Sequence, residues 1–437
     1  MSKPSQFSIC HPTEKVVSDI NIISNRPNQE MTRCILKQLP TSGVSPPHLL
    51  YNNPLPTQPA KADPEALTPS RRYIQDVSVL DVINSVTKNN NDDAFDVVDV
   101  GNVQRRLDFW KEHMPSVKPY YAVKSFPDAT VVATMTSLEM SFDCASPLEV
   151  DLVLATGAKP DQIIYANPSK QPSHITLAYA QGVNLTTFDN KSELDKIHQL
   201  APGMELVLRI KPDDSKSKIP LGSKFGAVVG QETQELLDYA KELNLNVVGV
   251  SFHVGSNCVA YEPYVDAIEL SKEVFAYGIE KGYAMAILDI GGGFPGAEND
   301  NEFIEMARQI TNALQNFPVP VQVIAEPGRY FSAPLMTSVA SISTKRKVGE
   351  QREYFINQSA FGVFAEGLLP QDRTYDPKVF PRPQGSATYP AKIWGPTCAS
   401  QDVINTPANL QLPELEVGNW IYFENMGAYS VAFGFSL

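Results

Sequence analysis

The chain has 437 residues, of which 43% are hydrophobic and 19% are charged, a composition typical of a globular protein with a large core rather than of a disordered one. Its 36 Lys and Arg against 49 Asp and Glu give a formal net charge of −13, which disfavours nucleic acid or an anionic membrane as a partner. Because the first 20 residues contain Lys, Glu and Asp and no long apolar segment is present, we expect a cytoplasmic protein without a signal peptide or membrane span.

The spacing of cysteine and histidine argues against a disulfide framework or a metal site. The five cysteines are odd in number, scattered and without CxxC spacing: Cys10, Cys34, Cys144, Cys258 and Cys398. The six histidines show no HxH or i, i+4 pair. We therefore expect free thiols and no bound metal.

Residues 1–70 differ in composition from the rest of the chain. They hold 11 of the 35 prolines, interleaved with Asn, Ser, Thr and Gln. This composition is typical of irregular backbone. We predict an irregular or disordered extension over 1–70, followed by a lead-in over 71–93 that contributes to a β-rich domain.

From Ala94 onward, short β-branched and aromatic segments alternate with helical stretches. The predicted strands are 95–100, 119–123, 141–144, 162–166, 185–188, 205–210, 247–253, 286–290 and 321–325. Their near-continuous apolar character is typical of parallel strands that are covered on both faces. The spacing predicts an α/β fold with a (β/α)8 barrel over residues 94–333.

Two helices are marked clearly by their apolar faces, at 231–243 and 265–279. After Pro334 the alternation of strand and helix stops. Short strands at 338–343, 353–357, 391–394 and 419–423 are separated by Pro-rich turns. We therefore predict a second, mostly β domain over residues 334–437.

The segment Tyr120-Tyr121-Ala122-Val123-Lys124 places a lysine where a predicted strand meets its loop. In a parallel barrel, active sites gather at that end of the strands. A lysine in a partly apolar setting there can lose its proton and bond to an aldehyde cofactor. A solvated surface lysine is the ordinary alternative, and position alone does not separate the two.

Two further strand ends carry groups suited to an anion. Gly291-Gly292-Gly293 follows one predicted strand, and glycines let backbone N–H groups approach an anion closely. Glu326-Pro327-Gly328-Arg329 follows the last one and offers a carboxylate and a guanidinium that could hold a protonated ring nitrogen and a phosphate. A simple glycine turn and a surface ion pair are the alternatives.

The remaining candidates are an imidazole, a hydroxyl, a thiol and a phenol. His253 and Ser256 follow the strand at 247–253, where the imidazole could stack on an aromatic ring. Cys398, in Gly395-Pro396-Thr397-Cys398, and Tyr429 lie in turns of the β domain. A lone Cys is more often a small buried hydrophobe than a catalyst, and a packing role is the alternative for Tyr429.

In combination and in this order, these motifs resemble those of the ornithine decarboxylase family of pyridoxal phosphate (PLP) enzymes. The resemblance covers the chain from about residue 70 to its end. It implies an alanine-racemase-like PLP-binding barrel with a C-terminal β domain, and an amino-acid carboxy-lyase activity. It further implies a homodimer with shared active sites.

The resemblance also implies a role for each motif residue. Lys124 would carry the cofactor, Glu326 would keep the pyridine nitrogen protonated, and His253 would lie on the ring face. Cys398 would arrive from the partner subunit and protonate the α-carbon after CO2 leaves. The implied cofactor contacts are Lys124, Asp143, Arg209, His253, Ser256, Gly291, Gly292, Gly293, Glu326, Gly328, Arg329 and Tyr429.

The family pattern breaks where the distal end of the substrate would be held. Ornithine decarboxylases have Asp after the cysteine, where this chain has Ala399, and a second Asp aligns with Leu369-Pro370. Gln358 also replaces an Asp. Asp402 keeps its place and Asp372 could reach inward, so replacement of the missing carboxylates by one of these two stays open.

These losses predict a decarboxylase of an L-amino acid other than ornithine. Specialised metabolism, such as alkaloid biosynthesis, is the expected setting, with N-(3-amino-3-carboxypropyl)proline of a loline-type pathway as one example. The alternatives are an ornithine or lysine decarboxylase with a rearranged pocket, a diaminopimelate-type decarboxylase, a decarboxylation-dependent oxidase, and a non-catalytic regulator resembling antizyme inhibitors.

Overall fold

The computed structural model describes residues 77–89, 92–369, 373–381 and 385–432, together with the backbone of two strands at 33–38 and 71–75. Strand β1 (Arg33–Gln38) pairs antiparallel with β2 (Arg71–Gln75) and with β3 (Phe95–Asp99), and helix α1 (Val79–Asn89) separates β2 from β3 in the chain. The extension predicted as irregular therefore contains a strand, because β3 offers a pairing edge that local composition does not reveal. The rest of 1–70 lies outside the described residues.

The central part of the chain forms the barrel. Its elements in chain order are α2 (Gly101–His113), β4 (Val117–Ala122), α3 (Ala129–Ser137), β5 (Ser141–Cys144), α4 (Pro147–Ala155), β6 (Ile163–Tyr165), α5 (Pro172–Ala180), β7 (Leu185–Phe188), α6 (Lys191–Leu200), β8 (Glu205–Arg209), β9 (Ser217–Ile219), α7 (Gln231–Glu242), β10 (Asn246–Ser251), β11 (Ser256–Cys258), α8 (Glu262–Glu280), β12 (Ile287–Asp289), α9 (Asp300–Gln315) and β13 (Gln322–Ala325). Eight strands close a parallel barrel in the order β4-β5-β6-β7-β8-β10-β12-β13, and β9 pairs with β11 outside it. The predicted (β/α)8 barrel is confirmed.

Local sequence signals begin several of the barrel helices. The side chains of Asp128, Ser146 and Asn190 accept hydrogen bonds from first-turn N–H groups of α3, α4 and α6. Pro147 stands at the start of α4, where its missing N–H has no cost. These caps set the end of each strand-to-helix loop, and they thereby hold the loops at the carboxyl ends of the strands.

The chain then leaves the barrel for a mainly antiparallel sheet. Its elements are α10 (Arg329–Ser332), β14 (Met336–Val348), β15 (Gln351–Ile356), β16 (Lys378–Phe380), β17 (Thr388–Trp394), β18 (Gln411–Pro413) and β19 (Trp420–Phe423). The sheet order is β18-β17-β15-β14-β3-β1-β2, with β19 pairing β14 and β16. The predicted combination of a barrel with a β domain is confirmed.

Strand β3 corrects one prediction. The segment 95–100 was assigned to the barrel, but β3 pairs antiparallel with β14 and β1 in the second sheet. Phe95 and Val97 pack with Ile83 of α1 and with Val339 and Trp420. All five residues of β3 are buried, and a strand buried on both faces has the same apolar sequence in either kind of sheet.

Within the described residues, none of the helices has the length and apolar character needed to cross a bilayer, and no cluster of three or more His, Cys, Asp or Glu is grouped as in a metal site.

Candidate active site

The amine of Lys124 lies at the mouth of the barrel. Lys124 stands in a 3-10 turn directly after β4. Its Nζ donates a hydrogen bond to Oδ2 of Asp143, which lies near the carboxyl end of β5. The Asp143 side chain is fully buried, whereas that of Lys124 is 40% exposed. The amine therefore has one side fixed by a buried carboxylate and one side open to a ligand.

The charge state of Lys124 follows from its neighbours. Desolvation alone would lower the pKa of this amine, but the negative charges of Asp143 and Glu326 outweigh it and raise the pKa above its ordinary value. Lys124 is thus an ammonium group in the ligand-free protein. It can bond to a carbonyl carbon only after it loses a proton, and Asp143 Oδ2 is placed to accept that proton.

Two more buried carboxyl groups, those of Asp289 and Glu326, lie on neighbouring strands of the barrel: β13 pairs with β4, and β12 pairs with β13. Asp289 ends β12, and Glu326 directly follows β13. Burial raises the pKa of Asp289 to about 7, and burial together with the charges of Asp289 and Asp143 raises that of Glu326 as well. A cationic group next to Glu326 would stabilise the ionised pair.

We expect Asp289→Asn to flatten the pH dependence of stability in the cofactor-free protein. With the pKa of Asp289 raised to about 7, the folded state keeps a proton that the unfolded state releases above about pH 4, so the free energy of unfolding falls as pH rises toward 7. Between pH 5 and pH 7 the wild type should lose about 2 kcal/mol more than the variant. Urea unfolding at both pH values measures this difference.

The matched control for that experiment is Asp266→Asn, which changes an exposed aspartate of α8. This control should lose as much stability as the wild type. Equal losses in the wild type and Asp289→Asn would show that Asp289 does not hold a proton in the folded state.

His253 follows β10 and is a neutral imidazole. Burial, followed by the charges of Arg209 and Lys124, lowers the pKa of His253 well below its ordinary value. The Gly255 N–H donates to His253 Nδ1 at 3.0 Å, so the ring proton is on Nε2. An uncharged, fixed ring of this kind can lie against the face of an aromatic cofactor.

The glycine loop lies in tight contact with this histidine. A Cβ on Gly291 would lie 2.1 Å from the carbonyl oxygen of Phe252, and a Cβ on Gly292 would lie 2.8 Å from His253 Nε2. Gly291 and Gly293 also have φ values of 63° and 110°. Only glycine fits this backbone, which is therefore free to approach a ligand closely.

The groups suited to a phosphate lie beside this loop. Arg329, the first residue of α10, donates from Nη2 to Ser256 Oγ at 3.4 Å, and its guanidinium lies 5.1 Å from the ring centre of Tyr429. The Tyr429 N–H donates to the Ser125 carbonyl at 2.8 Å and joins the β domain to the lysine turn. A Cβ on Gly328 would lie 3.1 Å from the Tyr429 hydroxyl oxygen, so glycine permits this approach.

The residues present fit pyridoxal phosphate. Lys124 could bond to the aldehyde, Glu326 could pair with the ring nitrogen, and Arg329 with Ser256 could bind the phosphate. Among the described residues, Arg329 Nε is a buried N–H without a hydrogen-bond partner, and a phosphate oxygen would satisfy it.

A single chain does not bring all of the predicted substrate-contacting residues to this cluster. Cys398 is an exposed thiol on the loop after β17, and Ala399 beside it is half-buried. Leu369 is 40% exposed. Pro370 and Asp372 lie outside the described residues.

The carboxylate of Asp402 is hydrogen-bonded within its own chain. Its Oδ1 accepts hydrogen bonds from Ser359 Oγ at 3.0 Å and from the Ala360 N–H at 2.7 Å, and its Oδ2 accepts from the Thr397 N–H at 2.9 Å. The residue is 1% exposed. Asp402 therefore ties two loops together and is not free to receive a substrate ammonium.

Gln358 is 4% exposed, and its Nε2 has no hydrogen-bond partner among the described residues. A buried donor of this kind needs a water molecule or a ligand oxygen. Gln358 Nε2 can therefore donate a hydrogen bond to a neutral or anionic acceptor of a ligand.

Sequence reasoning gave no role to several charged residues of the site. Asp289 ends a barrel strand, the same signal that identified Lys124. Glu149 accepts from the Ala145 N–H at 2.9 Å just after β5 and lies within the electrostatic reach of Lys124. Glu366, which contacts Arg329, and Arg373, which contacts Glu366, carry no local signal because loops distant from the barrel strands bring them there.

The barrel, the β domain and this cluster define a PLP-dependent amino-acid decarboxylase. Residues 100–333 match the family model for the pyridoxal binding domain of pyridoxal-dependent decarboxylases. The chain belongs to the ornithine decarboxylase family of these carboxy-lyases.

The similar proteins include enzymes and a regulator. A probable ornithine decarboxylase of Dictyostelium discoideum is 40% identical over 373 residues, which cover 82% of this chain and 79% of the relative. Antizyme inhibitor 2 of Xenopus laevis is 42% identical, with 80% of each chain covered. The arginine decarboxylase of Paramecium bursaria Chlorella virus, crystallised with agmatine, superposes with a TM-score of 0.78 and 36% identity, covering 82% of this chain and 97% of that one.

Proposed function

We propose that this enzyme decarboxylates an L-amino acid whose distal end is not the terminal ammonium of ornithine. The observation that carries the proposal is the replacement of two expected carboxylates by Ala399 and by Pro370. The carboxylate that keeps its place, Asp402, is already bound by three donors of its own chain. Gln358 offers a buried donor instead. N-(3-amino-3-carboxypropyl)proline, of loline-type specialised metabolism, is one substrate of this class.

Release of CO2 from a panel of amino acids tests the proposal. The panel compares ornithine, lysine, arginine and diaminopimelate with amino acids that have neutral or anionic distal groups. Turnover of ornithine as fast as any other member of the panel would rule the proposal out and favour a rearranged pocket.

In this function each residue of the cluster has one task. When bound, pyridoxal phosphate supplies an electron sink for the bond that breaks as CO2 leaves. Lys124 would hold the cofactor, and Asp143 would accept the proton of its ammonium form. Glu326 would keep the ring nitrogen protonated with the support of Asp289, while His253, with Arg209 beside it, would fix the ring from one face.

The phosphate would be held by Arg329 and Ser256, with the backbone of Gly291, Gly292 and Gly293 on one side. Gly328 and Tyr429 would close the other side. The support for this assignment is the 3.4 Å contact between Arg329 and Ser256 and the close packing around all four glycines.

Cys398 would act in the site of a partner subunit, in a cytoplasmic homodimer. The support is its exposure on a loop of the β domain, with a thiol that can reach another chain. Its thiol would place a proton on the α-carbon from which CO2 has left.

We therefore expect Cys398→Ala to slow product formation by about 10²- to 10⁴-fold or to divert the protonation to a wrong atom. Product analysis by mass spectrometry and the rate of CO2 release measure the two effects. Mixing this variant with Lys124→Ala should restore about a quarter of the wild-type rate, because each mixed dimer has one intact site. No recovery on mixing would mean that the sites are not shared, and a normal Cys398→Ala enzyme would remove the assigned role.

A non-catalytic regulator is the second candidate, since antizyme inhibitor 2 is 42% identical to this chain. Against it stand six retained site residues: Lys124, Asp143, Arg209, Glu326, Arg329 and Cys398. Purified enzyme should show the visible absorbance of a lysine-bound cofactor, and borohydride should fix that cofactor on Lys124. Colourless protein that takes up no cofactor would favour the regulator.

A further inference from the structure

Arg329 is joined to a second arginine through a buried carboxylate. Glu366, in the 3-10 turn Ala365–Leu368, accepts hydrogen bonds from both Nη atoms of Arg329 and from Nη1 of Arg373. The side chains of Arg329, Glu366 and Arg373 are 6%, 3% and 20% exposed. All three line a cavity of about 450 Å³. We call them the Arg-Glu-Arg trio.

The geometry leaves one edge of Arg329 available. Glu366 occupies the end of the guanidinium through the two Nη atoms. The buried Nε has no partner among the described residues, and besides its bond to Glu366, Nη2 makes only a long contact of 3.4 Å with Ser256 Oγ. A planar guanidinium can bind one anion at its end and another along its side. Glu366 therefore fixes the orientation of Arg329 while the side edge remains for the phosphate.

Arg373 joins the trio to the second side of the phosphate subsite. Its Nη2 donates to the carbonyl oxygen of Asn425 at 2.9 Å, and its Nη1 contacts that of Ala428 at 3.3 Å. These two carbonyls flank the turn that leads to Tyr429. The Arg373 backbone is itself held by Asn405 Nδ2 at 2.7 Å.

The net charge of the trio depends on Arg373. A buried Glu366 next to the phosphate subsite would repel a phosphate dianion and would cancel the charge of Arg329. With Arg373 present, two guanidiniums and one carboxylate leave one net positive charge. Because all three groups are largely out of water, that charge acts strongly over a short distance.

We propose that Glu366 and Arg373 are positioning residues for the cofactor phosphate: Glu366 orients Arg329, and Arg373 offsets the charge of Glu366 so that the subsite stays positive. The inference rests on the part of the proposed function that assigns Arg329 to the phosphate. It adds to that assignment two residues whose contribution is felt only by a ligand with a phosphate.

The test compares PLP with pyridoxal, which has the aldehyde and the ring but no phosphate. Full-length protein is stripped of cofactor and titrated with each ligand, and binding is followed by the absorbance of the lysine-bound ligand. Arg373→Met should raise the Kd for PLP about 10- to 100-fold, because the trio then has no net charge. Its Kd for pyridoxal should not change.

The double variant Glu366→Gln/Arg373→Met separates charge from structure. It removes one charge of each sign, so the trio returns to one net positive charge, and the glutamine keeps an amide oxygen that can accept a hydrogen bond from Arg329. The Kd for PLP should therefore return close to the wild-type value. Arg373→Gln is a second charge-removing variant if Arg373→Met does not fold, and it should weaken PLP binding in the same way. Lys378→Met, which removes an exposed charge from the same cavity, should leave both Kd values unchanged.

Each of the remaining outcomes contradicts either the inference or the assignment of Arg329 to the phosphate. If the double variant binds PLP as weakly as Arg373→Met, or if Arg373→Met loses affinity for pyridoxal as well, Arg373 does not act through charge and the inference fails. If Arg373→Met binds PLP as the wild type does, the inference fails while the phosphate subsite stands. If wild-type protein binds PLP no more tightly than pyridoxal, the assignment of Arg329 to the phosphate fails and the inference with it.

Discussion

Replacing Lys124 by alanine is expected to lower the rate of CO2 release by at least about 10⁴-fold. Lys124 is the amine that the fold places at the barrel mouth, held by Asp143 and within the field of Glu326. Without it the cofactor has no covalent attachment, and a buried Asp143 loses the cation that offsets its charge. The variant should also lose the visible absorbance of the lysine-bound cofactor.

Lys118→Ala is the matched control for this prediction. Lys118 lies on the same strand, β4, but its side chain is exposed, near the amino end of the strand. This variant should keep the activity and the absorbance of the wild type. A Lys124→Ala enzyme with more than a few per cent of wild-type turnover would show that Lys124 is not the cofactor lysine.

Ornithine is expected to be decarboxylated about 10²- to 10⁴-fold less efficiently than the preferred amino acid. A buried ammonium group without its carboxylate partners costs on the order of 3–5 kcal/mol, which corresponds to this range in kcat/KM. In the proposed pocket, Ala399 and Pro370 stand at the positions where the family pattern implies two such partners. Asp402 cannot replace them, because it is 1% exposed and its oxygens already accept three hydrogen bonds inside the chain.

Ala399→Asp restores one carboxylate and should raise kcat/KM for ornithine about 10-fold or more. The same variant should turn over the preferred amino acid less well, since a charge enters a site adapted to another distal group. Ser400→Asp adds the same charge at the exposed neighbouring position and should change neither value. If Ala399→Asp and Ser400→Asp behave alike toward ornithine, position 399 does not face the substrate.

The strand pattern was sufficient to predict all eight strands of the barrel, because parallel strands covered by helices are short apolar segments at regular spacing. It was wrong for β3, which belongs to the antiparallel sheet. All of β3 is buried, and its two acidic residues, Asp96 and Asp99, fall on opposite faces of the strand, so no single polar face reveals which sheet it joins. The strand β1 was missed for a related reason, since its pairing edge is supplied by β3.

The proposed cofactor residues could be selected from the sequence because each one ends a barrel strand or lies in a distinctive turn. Lys124, Glu326 and the Gly291–Gly293 loop are brought together by barrel closure alone. The contacts of Asp402 were not predictable, since Ser359 and Thr397 lie 43 and 5 residues from it along the chain. Its place in the family pattern suggested that Asp402 binds the substrate, whereas its hydrogen bonds indicate that it holds two loops together.

Local sequence was enough to establish the fold class and the coenzyme and to propose the loss of the usual carboxylates at the distal pocket, because each depends on residues next to a strand end or inside a short motif. The folded chain was needed to show that the oxygens of Asp402 are hydrogen-bonded and that Glu366 links Arg373 to Arg329. Hydrogen bonds and ion pairs between distant loops depend on how the barrel packs against the sheet, and no short segment of the sequence determines that packing.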